Sequence, residues 1–326
     1  MNSRILFSTV PLPSSLSSRL KQSSSVEILE GQELSSDVAS NVEVLLAGDT
    51  GWLNKLDFGQ MKNLRLIQTT SAGVDALDFE LIPKNILVCG NVGAFSEQIA
   101  EHVFGMMICL ARNLVLHEEE LKNSVFNQSQ GIFLKGKTIG IIGTGGIGQA
   151  VARLAKAFGM TTLGVNSSGR NVEFFDRTES IDNLNHLLSQ SDVVVVALPL
   201  TLKTRNLINE SNLRLTKSNC ILINVGRGAV INEKALYNHL YSNPSFMAGT
   251  DVWWKYPSQG KPFAQDYPFL ELPNFLGSPH IADGVPESHD LAVENAVRNI
   301  ERYLKGEPLK GLAKREDYIG LKSMRN

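Results

Sequence analysis

Cysteine is scarce in this chain: three residues of 326, Cys89, Cys109 and Cys220, each inside an apolar stretch. So small and odd a number argues against a disulfide framework and a four-ligand zinc site, and reads as reduced, buried thiols. No metal site is expected. An excess of one charge is also missing. With 31 basic and 33 acidic residues the net charge is -2, which leaves no global basic field for nucleic acid or an anionic membrane surface. Long hydrophobic runs are absent too. The longest, from Ile99 to Leu116, is broken by Glu101, His102 and Arg112, whereas a membrane span needs about 20 predominantly apolar residues. The opening MNSRILFSTVPLP has one Arg and a short apolar run, without the longer apolar region and cleavage site of a secretory signal. A cytoplasmic location is expected.

What is present is an ordinary globular balance, 43% apolar and 20% charged, over a length that suits two domains or one large α/β domain. Short apolar runs alternate with helical patterns almost throughout. RILFSTV (4–10), SVEILE (25–30), VEVLLAG (42–48), LRLIQTT (64–70) and ILVCG (86–90) read as one set of strands. TIGIIG (138–143), TLGVN (162–166), DVVVVAL (192–198), CILINV (220–225), FMAGTDV (246–252) and NFLGS (274–278) read as a second set. Near-continuous apolar strands with helices between them imply parallel sheets covered on both faces. The fold class is therefore α/β, with two doubly wound parallel-sheet domains. One seam falls in the helical stretch from about Ser96 to Lys122, and another near Pro279 to Pro286. The expected division is 1–98 with 284–326 for one domain and 99–283 for the other. Beyond the second seam an amphipathic helix, with Leu291, Val293, Val297, Ile300 and Leu304 mostly on one face, is expected to pack back onto the first sheet.

The most specific local signal is TIGIIGTGGIGQAVARLAKAFG, residues 138–159, in which Gly143, Gly145 and Gly148 form G-x-G-x-x-G. Alone this pattern is weak. Here an apolar strand precedes it and an amphipathic helix follows, which is the context a dinucleotide-binding turn requires. Gly143 suits the tight turn, Gly145 the approach of a pyrophosphate, and Gly148 close packing of helix on strand. The helix N-terminus then presents N–H groups and a positive dipole end to the phosphates. The next strand ends in Asn166-Ser167-Ser168-Gly169-Arg170, and no carboxylate follows until Glu173. An NAD site usually carries an acidic residue there for the ribose hydroxyls. Hydroxyls and a guanidinium suit a 2′-phosphate instead, so NADP is the preferred cofactor, with NAD as the alternative.

Taken together, TTSAGVD (69–75), AEH (100–102), the glycine turn, ALPLTLKT (197–204), INVGRG (223–228), GTDV (249–252) and SPHI (278–281) resemble the D-isomer-specific 2-hydroxyacid dehydrogenase family, glyoxylate and hydroxypyruvate reductases in particular. The resemblance runs nearly end to end. It implies a split flavodoxin-like substrate domain around an inserted Rossmann domain, and a homodimer formed partly through a helix matching residues 101–121. It makes Arg227 the residue that grips the substrate carboxylate and polarises the keto oxygen. His280 becomes the acid/base that protonates the carbonyl oxygen as hydride arrives, a role suited to an imidazole. Ala72 and Gly73 match the loop whose N–H groups hold the carboxylate. Gly146 and Ile147 would lie over the pyrophosphate, Leu198, Pro199 and Thr204 along the adenosine side, and Val225, Arg227 and Asp251 at the nicotinamide end. His102, within AEH, is read as a helix packing position.

Two departures stand out. The family usually carries a Glu five residues after the GTDV Asp, where it pairs with the catalytic His, and here that position is Tyr256. A phenol favours the imidazolium far less than a carboxylate does, so His280 is expected to titrate lower than in typical members. Asp283 sits where a small residue is usual. Trp253, Trp254 and Tyr256 either wall a pocket or fill core. The expected activity is reduction of a 2-keto acid to the D-2-hydroxy acid with NADPH. Phosphoglycerate- or phosphite-type oxidation and a dinucleotide-sensing binding protein are the alternatives. A small-molecule acid is the expected partner, with no nucleic acid and no membrane.

Overall fold

The computed structural model describes residues 4–23, 26–257 and 262–321. Ser25, the first residue of the expected strand 25–30, lies outside them. In chain order the strands are β1 (Arg4–Ser8), β2 (Val26–Glu30), β3 (Val42–Ala47), β4 (Leu66–Thr69), β5 (Leu87–Cys89), β6 (Thr138–Ile142), β7 (Thr161–Asn166), β8 (Arg177–Ser180), β9 (Val193–Val196), β10 (Ile221–Asn224), β11 (Met247–Thr250) and β12 (Phe275–Gly277). The helices are α1 (Ser14–Ser23), α2 (Ser36–Ala39), α3 (Thr50–Leu53), α4 (Ser96–Ala111), α5 (Leu114–Lys122), α6 (Gly146–Ala157), α7 (Leu184–Gln190), α8 (Glu210–Leu213), α9 (Glu233–Ser242) and α10 (Ser288–Leu304).

The chain divides into two compact units, Met1–Phe95 with Val285–Asn326, and Ser96–Gly284. The first holds a five-stranded parallel sheet of order β2-β1-β3-β4-β5, the flavodoxin-like arrangement. Its strands are mostly apolar because both faces are covered, although the edge strand β2 leaves Glu27 and Glu30 exposed. In β3, Leu45 and Ala47 join a cluster with Phe58, Met61 and Phe79, while Val44 and Leu46 face Leu16 and Leu20 of α1 and Val293, Val297 and Ile300 of α10. The last helix does pack on this sheet. Leu291 is the exception to its expected apolar face, at 44% exposed.

The second unit is a seven-stranded parallel sheet of order β12-β11-β10-β9-β6-β7-β8, a doubly wound sheet in which the strand order reverses between β6 and β9. On one face Ile139 and Ile141 of β6 pack with Val103, Met107 and Leu110 of α4 and Val151 and Ala155 of α6. On the other, α7 comes so close that a Cβ at Gly140 would sit 2.6 Å from Leu187. Two features depart from the sequence reading. The edge strand β8, RTES, has no apolar run and was not anticipated. The single helical stretch from 96 to 122 is broken at Asn113, which takes a left-handed φ of 52° between α4 and α5. Among the described residues, no single helix is long and apolar enough to cross a membrane. The cysteines are free; Cys89 and Cys220 are buried, but Cys109 is only half-buried.

Candidate active site

Apart from His102 on α4, the residues of the second unit singled out from the sequence lie at or just after the carboxyl ends of strands of one parallel sheet. The glycine turn follows β6, Asn166–Arg170 follows β7, Leu198 and Pro199 follow β9, Arg227 follows β10, Asp251 follows β11 and His280 follows β12. Ligands of open α/β sheets bind at this edge, where the strand order reverses.

The glycines of the turn have different jobs. Gly143 holds φ of 102°, which a side chain rarely adopts, and a Cβ on it would lie 2.7 Å from the Ala197 carbonyl. A Cβ at Gly148 would be 2.1 Å from the Gly143 carbonyl oxygen. Both are required by packing. Gly145, at the N-cap of α6, is exposed and has nothing within 4 Å of its Cβ position. Packing does not demand glycine there, and an open approach to the N–H groups of α6 suits a phosphate. Gly146 and Ile147 form the first turn of α6 and are half-buried.

The loop after β7 is largely built on itself. Asn166 donates through Nδ2 to Thr144 Oγ1 and to the Arg170 carbonyl, both at 3.0 Å, and its Oδ1 accepts from Ser168 N–H and Oγ. Asn166 and Ser168 therefore shape the loop and tie it to the glycine turn. Ser167 and Arg170 are exposed beside them. No carboxylate is bonded to residues 166–170 among the described residues, although β8 brings Ser180 alongside Asn166 in register. Thr204 closes its own turn, donating to the Pro199 carbonyl at 2.7 Å and accepting from Thr201 N–H at 2.8 Å.

Arg227 is placed by a residue that sequence reading passed over. Asn224, 1% exposed at the end of β10, accepts from Gly226 N–H at 3.1 Å and donates to the Arg227 carbonyl at 3.1 Å. An amide ending an otherwise apolar strand was the available signal, since a buried polar group must find partners. There is no room for a side chain on either neighbour. A Cβ at Gly226 would meet the Leu198 carbonyl at 2.4 Å, and one at Gly228 the Trp253 backbone at 2.4 Å. The Arg227 guanidinium also donates to the Gly226 carbonyl at 2.8 Å. Val225 is not turned toward solvent; it is 5% exposed, within the hydrophobic core.

His280 is exposed and carries a left-handed φ of 58°, a conformation costing a non-glycine residue roughly 1–2 kcal/mol. Its loop is pinned from several sides. Asp251, 1% exposed, accepts from Ser278 Oγ at 2.6 Å, Ile281 N–H at 2.9 Å and Ala282 N–H at 3.0 Å. The Trp253 indole donates to the Ser278 carbonyl at 2.8 Å. His102, expected as a packing position, instead directs Nε2 to Ser278 Oγ at 2.9 Å. The aromatic cluster divides by role. Trp253 is buried, Trp254 stacks on Phe269 with its indole on the Ile231 carbonyl, and the half-exposed Tyr256 lies against the His280 ring. Asp283 is half-buried in a turn closed by Gly284 N–H on the Ile281 carbonyl.

Ala72 and Gly73 belong to the first unit, in the loop after β4. Thr69 and Ser71 hydroxyls bond within this loop, and the N–H groups of Ala72 and Gly73 carry no hydrogen bond among the described residues. No group of three or more His, Cys, Asp or Glu is arranged for a metal among the described residues.

A glycine turn, an Arg and a His on the carboxyl edge of a doubly wound sheet define a dinucleotide-binding α/β enzyme. Residues 104–282 match the family model described as D-isomer specific 2-hydroxyacid dehydrogenase, NAD binding domain. The chain is 35% identical over 250 residues to a D-3-phosphoglycerate dehydrogenase of Methanocaldococcus jannaschii, covering 76% of this chain but only 47% of that protein. It is 32% identical over 262 residues to a glyoxylate reductase of Thermofilum pendens, covering 78% of this chain and 76% of the relative. A solved D-isomer specific 2-hydroxyacid dehydrogenase family protein from Aeromonas salmonicida is similar with a TM-score of 0.77 and 31% identity, covering 96% of this chain and 100% of the other. The chain belongs to the D-isomer specific 2-hydroxyacid dehydrogenase family of oxidoreductases.

Proposed function

We propose that this protein is a reductase of a 2-keto acid that yields the D-2-hydroxy acid and prefers NADPH over NADH. The observation carrying this reading is that Arg227, His280 and the glycine turn all follow strands of one parallel sheet, at the edge where such sheets bind their ligands. The dinucleotide, when bound, supplies the hydride. Gly145 leaves the N-terminus of α6 open to its pyrophosphate, and Gly146, Ile147, Leu198, Pro199 and Thr204 are assigned to the rest of its length. Ser167 and Arg170 are assigned to a 2′-phosphate, in a loop to which no carboxylate is bonded among the described residues.

The remaining chemistry belongs to side chains. Arg227 holds the substrate carboxylate in a planar fork of donors and polarises the keto oxygen. His280, as imidazolium, gives that oxygen a proton and takes it back in oxidation. In the first unit, the unbonded N–H groups of Ala72 and Gly73 are assigned to carboxylate binding. Asp251 is assigned to the nicotinamide end through its hold on the His280 loop rather than through an exposed carboxylate. The protein is read as cytoplasmic and as a homodimer. The second copy is taken to cover exposed apolar side chains between residues 114 and 133, namely Leu114, Val115, Leu121, Val125, Phe126 and Phe133.

Initial rates with glyoxylate, hydroxypyruvate, 3-phosphohydroxypyruvate, pyruvate and phenylpyruvate test this, each with NADPH and NADH. Turnover favouring NADPH is expected, and loss of it in His280→Ala identifies the proton donor. Best turnover of the phosphorylated acid would move the protein to the phosphoglycerate-type alternative. Tight dinucleotide binding without turnover of any acid would favour a sensor, the reading that Tyr256 in place of the usual Glu keeps open.

A further inference from the structure

We propose that His102 is a positioning residue for His280, acting through Ser278 and Asp251; the catalytic part of this rests on the reductase reading above. The proton directions follow from the atoms. The Asp251 carboxylate only accepts, so the Ser278 hydroxyl, 2.6 Å from its Oδ1, must donate to it. That hydroxyl has one proton, so its oxygen accepts from His102, whose Nε2 lies 2.9 Å away and therefore carries hydrogen. The chain of bonds runs from His102 to Ser278 to Asp251. From there it reaches the N–H groups of Ile281 and Ala282, the two residues after His280.

This arrangement does more than satisfy a buried acid. Asp251 is 1% exposed, and a carboxylate so buried is unfavourable unless its lone pairs are used. His102 Nε2 is also 3.7 Å from Asp251 Oδ1, so an imidazolium would add an opposite charge. The anchor is built into the core: α4 buries Val103, Phe104, Met106 and Met107 and packs against β10, β11 and β12. His102 thus fixes Ser278 from a helix held by the core, while Asp251 fixes the far side of the loop. Between these two points sits His280 with its left-handed backbone, a conformation that persists only where its surroundings over-determine it. Loss of the His102 bond removes one of the holds on the Ser278 hydroxyl, whose bond to Asp251 remains, and so loosens the hold of Asp251 on residues 281 and 282.

The test combines hydrogen exchange of the Ile281 and Ala282 amides with kinetics, in His102→Leu, His102→Gln, Ser278→Ala and the His102→Leu/Ser278→Ala double variant. Gln keeps an N–H for Ser278, and Leu keeps bulk without one. In His102→Leu the two amides should exchange faster, and kcat for the best 2-keto acid should fall roughly tenfold to a hundredfold, since small displacements of a reacting group have effects of that size. KM and dinucleotide affinity should stay near wild type. His102→Gln should recover most of both signals. Ser278→Ala should reproduce His102→Leu, and the double variant should add little, because the residues act as one unit. Should His102→Leu fail to fold, Ser278→Ala reports on the same link. Unchanged exchange and kcat in His102→Leu, or a Gln variant as impaired as the Leu variant, overturns the proposal. If the wild type turns over no keto acid yet the amides lose protection in His102→Leu, the reductase reading fails while the anchoring of the loop stands.

Discussion

The ring of Tyr256 lies against that of His280, with centroids 5.4 Å apart and planes tilted by 44°. The Tyr256 hydroxyl accepts from Trp253 N–H at 3.2 Å. The residue that replaces the family's usual Glu therefore sets a tilted aromatic ring against the imidazole and offers it no carboxylate. Tyr256→Glu should favour the imidazolium. Reduction needs that protonated form, so the alkaline limb of kcat/KM should move up by roughly one pH unit or more. A profile that does not move would show that the position has no electrostatic access to His280.

Two glycines separate binding from folding. Gly145→Ala adds a methyl to open space, so stability should change by less than about 1 kcal/mol. Dinucleotide affinity, read by fluorescence titration, should nevertheless fall at least roughly tenfold, equivalent to about 1.4 kcal/mol. Gly148→Ala forces a Cβ to 2.1 Å from the Gly143 carbonyl oxygen and should destabilise the fold by about 1–3 kcal/mol in thermal melts. Equal stability losses in the two variants would contradict this division.

Under the proposed preference for NADPH, Arg170 contacts the 2′-phosphate. Its replacement by Ala should lower the NADPH-to-NADH ratio of kcat/KM roughly tenfold, mostly through weaker NADPH use, as expected for one lost charge-assisted contact. An unchanged ratio would remove Arg170 from the cofactor site.

Asp192 ties the sheet together: it accepts from Thr138 N–H at the start of β6, at 2.8 Å, and from Lys217 Nζ at 2.9 Å. Burial alone would raise its carboxyl, but these donors prevail and hold it below the ordinary value. A depressed carboxyl contributes stability that is complete above the unfolded value near 3.9 and disappears as pH falls through the lower native value. Asp192→Asn should thus melt lower than wild type at neutral pH, by about 1 kcal/mol. The difference should narrow below about pH 4. A gap independent of pH would show that charge is not its cause.

Burial raises the Cys89 thiol to about 11 and the Cys220 thiol to about 12. Both should stay unmodified by a thiol reagent at pH 8 in the folded protein and react once it is unfolded, as mass spectrometry of labelled peptides would show. Rapid native labelling of either would mean that its core opens readily.

Much of this architecture was legible locally. Eleven strands were readable because apolar residues must be buried on both faces of a parallel sheet. The glycine turn was readable because Gly143 and Gly148 leave no room for a side chain, and Gly145 completes their spacing. The ordered motifs pointed to the family and singled out Arg227 and His280, whose roles are proposals. Other features had no local signature. β8 is a polar edge strand that exists because β7 offers it a hydrogen-bonding edge. The roles of Asn224, Asp251 and His102 depend on which partners packing brings to their polar atoms, and His102 and Ser278 are 176 residues apart in sequence. Hydrophobic period and glycine spacing are properties of neighbours along the chain, and so the amino-acid order alone determined the apolar strands, the turn and the family, but not β8. Partners for buried polar groups are chosen by distant segments meeting in space, and so only the tertiary structure decided how the loop bearing His280 is held.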